Sequence, residues 1–524
     1  MRELREPTSF DVGMSIQSSF AIASRNSASK IGREAGWAAD EPARANAPHR
    51  RVLFVTPEMA DFVKVGGLGE VSAALPRSLL ANCDVRVMVP GYRAVLERSD
   101  EIELIGRLPA FAGIPPCGLG RLTTADGLVV YVVLCDELYD RDGTPYNNAQ
   151  GEDFPDNDVR FARLSLAAVE LADRRGDPHW SPDLIHANDW PAALAPAYAA
   201  WRGIKAASLL TVHNLAYQGV FDASRLAALG IPRSAFTVDG AEFYGKLSFL
   251  KAGLFYASHI TTVSSTYAQE ITRPEHGCGL HGLLSDRARQ GRLSGILNGI
   301  DESWDPRKTG SENSFWPDNR FDMRAWKGRN AEHVRGAFSL ALSRGPLFAI
   351  VSRLVHQKGL DLAIDAAETI VARGGQLVAT GRGEPRFEEG IRALARRHPG
   401  SVGVRIGFDD HEARRMFAAS DFLLMPSRFE PCGLSQMCAQ KYGSLPIAHR
   451  TGGLADTIED GVTGFLFSKY SSDGLAGAIG RAFAAHASKW ALGRMRRIAM
   501  ARKFDWKRSA ADYARLYRRV AAAA

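Results

Sequence analysis

The residues best suited to chemistry fall in short runs between apolar segments. Lys64-Val65-Gly66-Gly67-Leu68-Gly69-Glu70 follows the apolar run Val52-Leu53-Phe54-Val55 and precedes an amphipathic stretch, Val71 to Leu80. A strand, a glycine turn and a helix can aim backbone N–H groups at an anion, and Lys64 adds a positive charge. A plain strand-to-helix turn has the same pattern, and neither G-x-G-x-x-G nor G-x-x-x-x-G-K-[ST] is present. His186-Ala187-Asn188-Asp189-Trp190 and His213-Asn214-Leu215-Ala216-Tyr217-Gln218-Gly219 each follow an apolar run. One such histidine is often structural; two at strand ends of one sheet suggest a site. Ser352-Arg353-Leu354-Val355-His356-Gln357-Lys358-Gly359 carries two permanent cations suited to a diphosphate. A cation near a phosphate oxygen is worth about 4 kcal/mol at 4 Å and an effective dielectric of 20. Pro426-Ser427-Arg428-Phe429-Glu430-Pro431-Cys432-Gly433-Leu434 places Glu430 in a turn before a helix. There it is either a helix-dipole partner or a holder of vicinal sugar hydroxyls. Cys432 reads as structural, although a helix N-terminus can activate a thiol. Thr451-Gly452-Gly453-Leu454-Ala455-Asp456 repeats the logic of the first loop and suggests a second anion cradle.

These runs need elements to position them. Val85–Pro90, Leu128–Leu134, Leu184–His186, Ala207–Val212, Ile260–Val263 and Ile296–Leu297 read as strands, and Arg160–Ala172 as a helix. A polar stretch from Asp301 to about Trp316 interrupts the rhythm. A second series follows: strands Leu347–Val351, Gln376–Thr380, Val402–Ile406, Phe422–Pro426 and Leu445–Ala448, with helices Leu360–Arg373 and His411–Ser420. Such alternation predicts an α/β class with two parallel sheets, each covered on both faces, and a ligand cleft between them.

Composition sets the bounds. The 524 residues suit about two to four domains. Hydrophobic content of 45% and charged content of 23% are ordinary for a globular protein. No apolar run approaches the roughly 20 residues of a membrane helix, so no membrane partner is expected. The net charge of +7 comes from scattered Lys and Arg, which argues against a nucleic-acid partner and equally suits a phosphorylated small molecule. None of the six cysteines forms a C-x-x-C pair, so no zinc site or disulfide framework is indicated, and a reducing cytoplasmic location fits. Residues 1–50 lack hydrophobic periodicity and the apolar core of a secretory signal; a disordered tail is expected there.

Taken together, the motifs resemble the bacterial glycogen synthases, the family shared with plant starch synthases. The resemblance runs from Arg51 to about Tyr517. It rests on the runs above and on Pro90-Gly91-Tyr92, Tyr139-Asp140-Arg141, Asp156-Asn157, Ser248-Phe249-Leu250-Lys251-Ala252-Gly253, Leu297-Asn298-Gly299 and Tyr442-Gly443. Each is weak alone; their number and order make the likeness specific. It implies a GT-B fold, two Rossmann-like domains facing each other across a deep cleft. The expected division is an acceptor-side domain over 51–300, a nucleotide-sugar domain over 301–503, and a helix over 504–524 returning to the first domain. The implied activity is transfer of glucose from ADP-glucose to the non-reducing end of an α-1,4-glucan, with retention, without cofactor or metal. Same-face displacement is the route implied, with the leaving phosphate taking the acceptor's proton.

The resemblance also implies roles. Arg353 and Lys358 neutralise the departing diphosphate. Glu430 holds sugar hydroxyls, His186 lies beside the transferred glucose through its carbonyl or a hydrogen bond, and Asp156 positions donor or acceptor. Lys64, Gly66 and Gly67 approach the donor from the opposite wall, and Gly452 and Gly453 add N–H groups. Asn214, Cys432, Gly433, Leu434 and Thr451 complete the substrate contacts, with Phe408 against the adenine. Two positions depart from the family pattern. Glu70 stands where Asp is usual, and Phe408 where Tyr is frequent, which opens the choice between ADP and UDP. An α-glucan phosphorylase, a non-catalytic glucan binder and a nicotinamide dehydrogenase are the rivals; the first lacks a matching motif, the second is at odds with the retained Lys64, Arg353, Lys358 and Glu430, and the third lacks its glycine fingerprint.

Overall fold

The computed structural model describes residues 50–307, 322–407 and 409–523. The tail expected over 1–50 and the stacking role of Phe408 therefore lie outside the described residues, save Arg50. Two sheets organise the chain. The first contains nine strands among the described residues, in the order β12-β11-β7-β6-β1-β2-β5-β4-β3. They are β1 (Arg51–Val55), β2 (Asp84–Pro90), β3 (Glu103–Leu108), β4 (Cys117–Thr123), β5 (Val129–Leu134), β6 (Leu184–Asn188), β7 (Ala207–Val212), β11 (His259–Thr262) and β12 (Leu293–Gly295). A separate small sheet, ordered β8-β10-β9, is built from β8 (Val220–Phe221), β9 (Glu242–Phe243) and β10 (Lys246–Ser248).

The second large sheet runs β15-β14-β13-β16-β17-β18 and is parallel throughout. Its strands are β13 (Leu347–Val351), β14 (Gln376–Gly381), β15 (Val402–Ile406), β16 (Phe422–Met425), β17 (Leu445–His449) and β18 (Phe465–Phe467). This is the doubly wound order, with its switch point between β13 and β16. Both faces are covered. Phe348 and Ile350 enter one core while Leu347, Ala349 and Val351 enter the other, as the alternation of a strand buried on both sides requires.

Two expectations are corrected. The first sheet is not wholly parallel: β4 pairs antiparallel with both β3 and β5, because short connections there allow hairpin-like returns. Ile296–Leu297 is not a strand; the pairing with β11 is made by Leu293–Gly295, just upstream.

The chain's end returns to the first sheet. The helix Trp506–Ala523 packs Trp506, Ala510, Tyr513, Ala514, Tyr517 and Val520 into that core. Ser509 Oγ donates to the Leu297 carbonyl at 2.5 Å. No helix among the described residues is long and apolar enough to cross a membrane.

Candidate active site

A cleft of roughly 1380 Å³ opens where the carboxyl ends of the two large sheets meet. Ligands gather at such ends because the loops there are free to diverge.

On the first wall, the loop after β1 holds its own anion. The buried Glu58 accepts from Val65 N–H (2.7 Å) and Gly66 N–H (3.1 Å) through Oε2, and from Tyr146 Oη–H (2.8 Å) through Oε1. The expectation that Gly66 offers its amide to a donor phosphate is therefore corrected: Glu58 already occupies it. Gly67 stays open. A Cβ there would meet only Leu434 Cδ1 at 3.8 Å, a residue of the other wall. Lys64 lines the cleft, with its ammonium 2.5 Å from Glu70 Oε1. Burial lowers the Lys64 pKa, but the Glu70 carboxylate outweighs it and the net shift is upward. Glu70 thus has a local task, holding the loop's cation.

Asp189 immediately follows β6, at φ 54°, a left-handed conformation disfavoured for a side-chain-bearing residue. Its Oδ1 accepts from His213 N–H (2.7 Å) and more weakly from Asn214 N–H (3.4 Å). Burial pushes its pKa up to about 7 against the pull of these amides, with Glu58 adding repulsion. His213, first after β7, is pushed down to about 3 by burial and is neutral at pH 7. Asn188 Nδ2 donates to the Val55 carbonyl, which leaves Asn188 Oδ1 to accept from His213 Nε2–H at 3.0 Å. Asp189, His213 and Asn214 all line the cleft.

The placement of His186 beside the sugar is corrected. It lies inside β6, fully buried, between Tyr517 Oη at Nδ1 (2.7 Å) and Thr211 Oγ1 at Nε2 (2.6 Å). Burial holds its pKa well below the ordinary value, and it does not line the cleft. The role for Asp156 is corrected too: both its oxygens accept from Arg141, at 2.8 and 2.7 Å. Asp153 and Asn157 reach the cleft from the same segment.

The second wall is built at the β13/β16 switch point. Arg353 follows β13, is exposed to the cleft, and has no ion-pair partner among the described residues. Lys358 Nζ sits 2.6 Å from Glu430 Oε2, which also accepts from Ser427 Oγ–H at 3.0 Å. Both partners are largely buried, and Glu430 Oε1 is left without a hydrogen bond among the described residues. A paired carboxylate with one free oxygen in a cleft can accept from hydroxyls. Cys432, Gly433 and Leu434 line the cleft just before the helix Ser435–Lys441. Burial pushes the Cys432 thiol up to about 12, so it is not a nucleophile at neutral pH.

The second cradle is corrected. Thr451, Gly452 and Gly453 do not line the cleft. Glu270 already caps the site: its carboxylate accepts from Thr451 Oγ1–H (3.0 Å) and Gly452 N–H (3.1 Å). The glycines serve packing instead. A Cβ on Gly452 would lie 2.0 Å from the Glu430 carbonyl, and one on Gly453 2.0 Å from that of Cys432. They let this turn press against the loop that carries Glu430.

The cleft is also lined by Glu58, Asp189, Tyr146 and Arg382, to which the sequence assigned no role, and by His213 rather than His186. Asp189 carried a usable signal as the carboxylate of the polar run that follows the apolar residues Leu184 and Ile185. Glu58 carried none, because nothing in its neighbours marks a carboxylate that turns inward. Among the described residues, no group of three or more His, Cys, Asp or Glu side chains is placed to share a metal ion.

Two facing Rossmann-like sheets, with Lys64, Arg353, Lys358 and Arg382 lining the cleft between them, define a GT-B glycosyltransferase. Residues 51–286 match the family model described as starch synthase catalytic domain, and residues 338–491 match glycosyl transferases group 1. The chain is 57% identical over 474 residues to a glycogen synthase of Pseudomonas putida, covering 90% of each. It is 58% identical over 466 residues to glycogen synthase 1 of Bradyrhizobium diazoefficiens, covering 88% of this chain and 100% of that one. Among solved structures, the catalytic domain of starch synthase IV from Arabidopsis thaliana, bound to ADP and acarbose, superposes with a TM-score of 0.77 at 30% identity, covering 90% of this chain and 100% of that one. The chain belongs to the glycogen synthase family.

Proposed function

We propose that this protein is a retaining glucosyltransferase that moves glucose from ADP-glucose to the non-reducing end of an α-1,4-glucan, elongating glycogen in the cytoplasm. The observation that carries the reading is Arg353, a permanent cation without a counter-ion among the described residues, facing the same cleft as the Lys358–Glu430 pair. Arg353 and Lys358 oppose the charge that grows on the leaving diphosphate, while Glu430 Oε1 accepts from the sugar hydroxyls. Lys64 and the Gly67 amide close on the donor from the facing wall. Neutral His213 and Asp189 border the space for the transferred sugar. The ADP in the Arabidopsis neighbour supports the nucleotide. The family names of the relatives support the glucan. We assign residues 51–300 to the acceptor side and 301–503 to the nucleotide-sugar side, with 504–524 returning to the first.

The test is incorporation of labelled glucose into glycogen from ADP-glucose and from UDP-glucose. Clear preference for ADP-glucose is expected. Equal use of both donors would remove the nucleotide assignment, and no transfer from either would remove the reading.

A further inference from the structure

The small sheet beside the cleft has no evident structural reason for its surface. Strands β9 and β10 are joined by Tyr244 and Gly245, both at positive φ (49° and 78°). A two-residue hairpin turn of this kind favours Asn or Asp before Gly, since a bulky side chain crowds the left-handed backbone. Tyr244 nonetheless occupies the position, and it is 80% exposed, so core packing does not account for it. Its ring meets that of Phe243 edge to face, with centroids 4.8 Å apart. Gly279 passes close beneath both: a Cβ there would lie 3.0 Å from Phe243 Cζ and 3.1 Å from Tyr244 Cε2. The neighbouring Cys278 carbonyl accepts from Gln218 Nε2–H at 2.9 Å, which ties the support to a segment lining the cleft. Tyr217 and Val220, also cleft-lining, continue the exposed apolar rim. Adjacent charges are spent locally, as in the Lys246–Asp222 pair at 3.0 Å.

We propose that β8, β9 and β10 form an outer acceptor platform, on which glucose units distant from the reacting end of an α-1,4-glucan stack against Tyr244 and Phe243. The platform rests on the reading that the acceptor is a glucan. Three observations select that occupant. The rim is continuous with the cleft through Phe243. It is aromatic, and the exposed Lys246 of β10 is paired with Asp222, which suits a neutral polyhydroxylated chain rather than a nucleotide. The cleft volume of roughly 1380 Å³ exceeds the roughly 300–1,000 Å³ of single-ligand pockets. A strained residue that adds nothing to the core is accounted for by a ligand contact.

The experiment compares kcat/KM on glycogen with kcat/KM on maltotriose, at saturating ADP-glucose, for the full chain and for Tyr244→Ala, Tyr244→Gly and Tyr244→Phe. The glycogen-to-maltotriose ratio should fall about five-fold in the Ala and Gly variants, the scale of one lost aromatic contact, and hold in the Phe variant. Tyr244→Gly should melt no lower than wild type, because glycine relieves the positive φ. Retardation in native gels containing glycogen, without donor, should weaken in parallel. An unchanged ratio in Tyr244→Gly, with wild-type transfer intact, overturns the platform. Absence of wild-type transfer to either acceptor instead overturns the underlying reading.

Discussion

Asp189 is the carboxylate whose surroundings most alter its chemistry at the cleft. Its pKa rises from 3.8 to about 7, burial being the first cause. The folded state therefore holds a proton that the unfolded chain releases near pH 4. Stability from this group is full below that pH and is lost as pH rises towards 7. Between pH 5 and pH 8, urea unfolding of wild type should show a decline in stability that is smaller in Asp189→Asn; equal declines would show that the carboxyl is not perturbed. The two histidines differ in where their strands end. The apolar run Leu184-Ile185-His186 suggested that His186 ended its strand, but β6 continues to Asn188. Two residues moved that side chain from the rim into the core. His213 follows a strand whose expected and observed ends coincide, and it reaches the cleft.

At the scale of elements, the cleft follows from strand order. Arg353 leaves β13 and Glu430 leaves the loop after β16, the neighbours that flank the switch point. That placement was legible from alternating apolar runs, because a parallel sheet buried on both faces advertises its strands. The Gly-Gly turns were not legible in the same way. A glycine pair satisfies either a ligand's approach or another backbone's approach, and only packing distinguishes them. Gly452 and Gly453 belong to the second kind. Their turn instead meets the helix Ser265–Glu270 from the first sheet. Thr266 Oγ1 donates to Asp456 at 2.5 Å, and Glu270 accepts from Thr451 and Gly452. Glu270→Ala should leave the Gly452 amide without its acceptor, at a cost of about 1–3 kcal/mol locally. Hydrogen exchange of a peptide spanning residues 448–457 should quicken in that variant. Unchanged protection would mean the contact does not persist in solution.

At the scale of the molecule, the two large sheets and the returning helix make one machine whose site neither sheet completes. Tyr517 on that helix reaches His186 inside the first sheet, so the chain's last segment helps hold the wall that carries Asp189. Ser264 Oγ donates to the Pro431 carbonyl at 2.5 Å, joining that wall to the loop of Glu430. The fold class was legible from the chain's periodicity; the antiparallel edge and the self-filled cradles were not, since both depend on which backbone groups find partners across long sequence separations. The charge on the departing diphosphate is central to the proposed reaction. Lys358 is a blunt probe of it, because its removal also strands the buried Glu430. Arg353 is exposed and unpaired among the described residues, so its loss separates catalysis from stability. The decisive measurement is glucose transfer from ADP-glucose to glycogen by Arg353→Ala beside wild type, with melting temperatures taken on the same samples. The account predicts matching melting temperatures and turnover reduced about 100-fold. Matching turnover in the two proteins would contradict it.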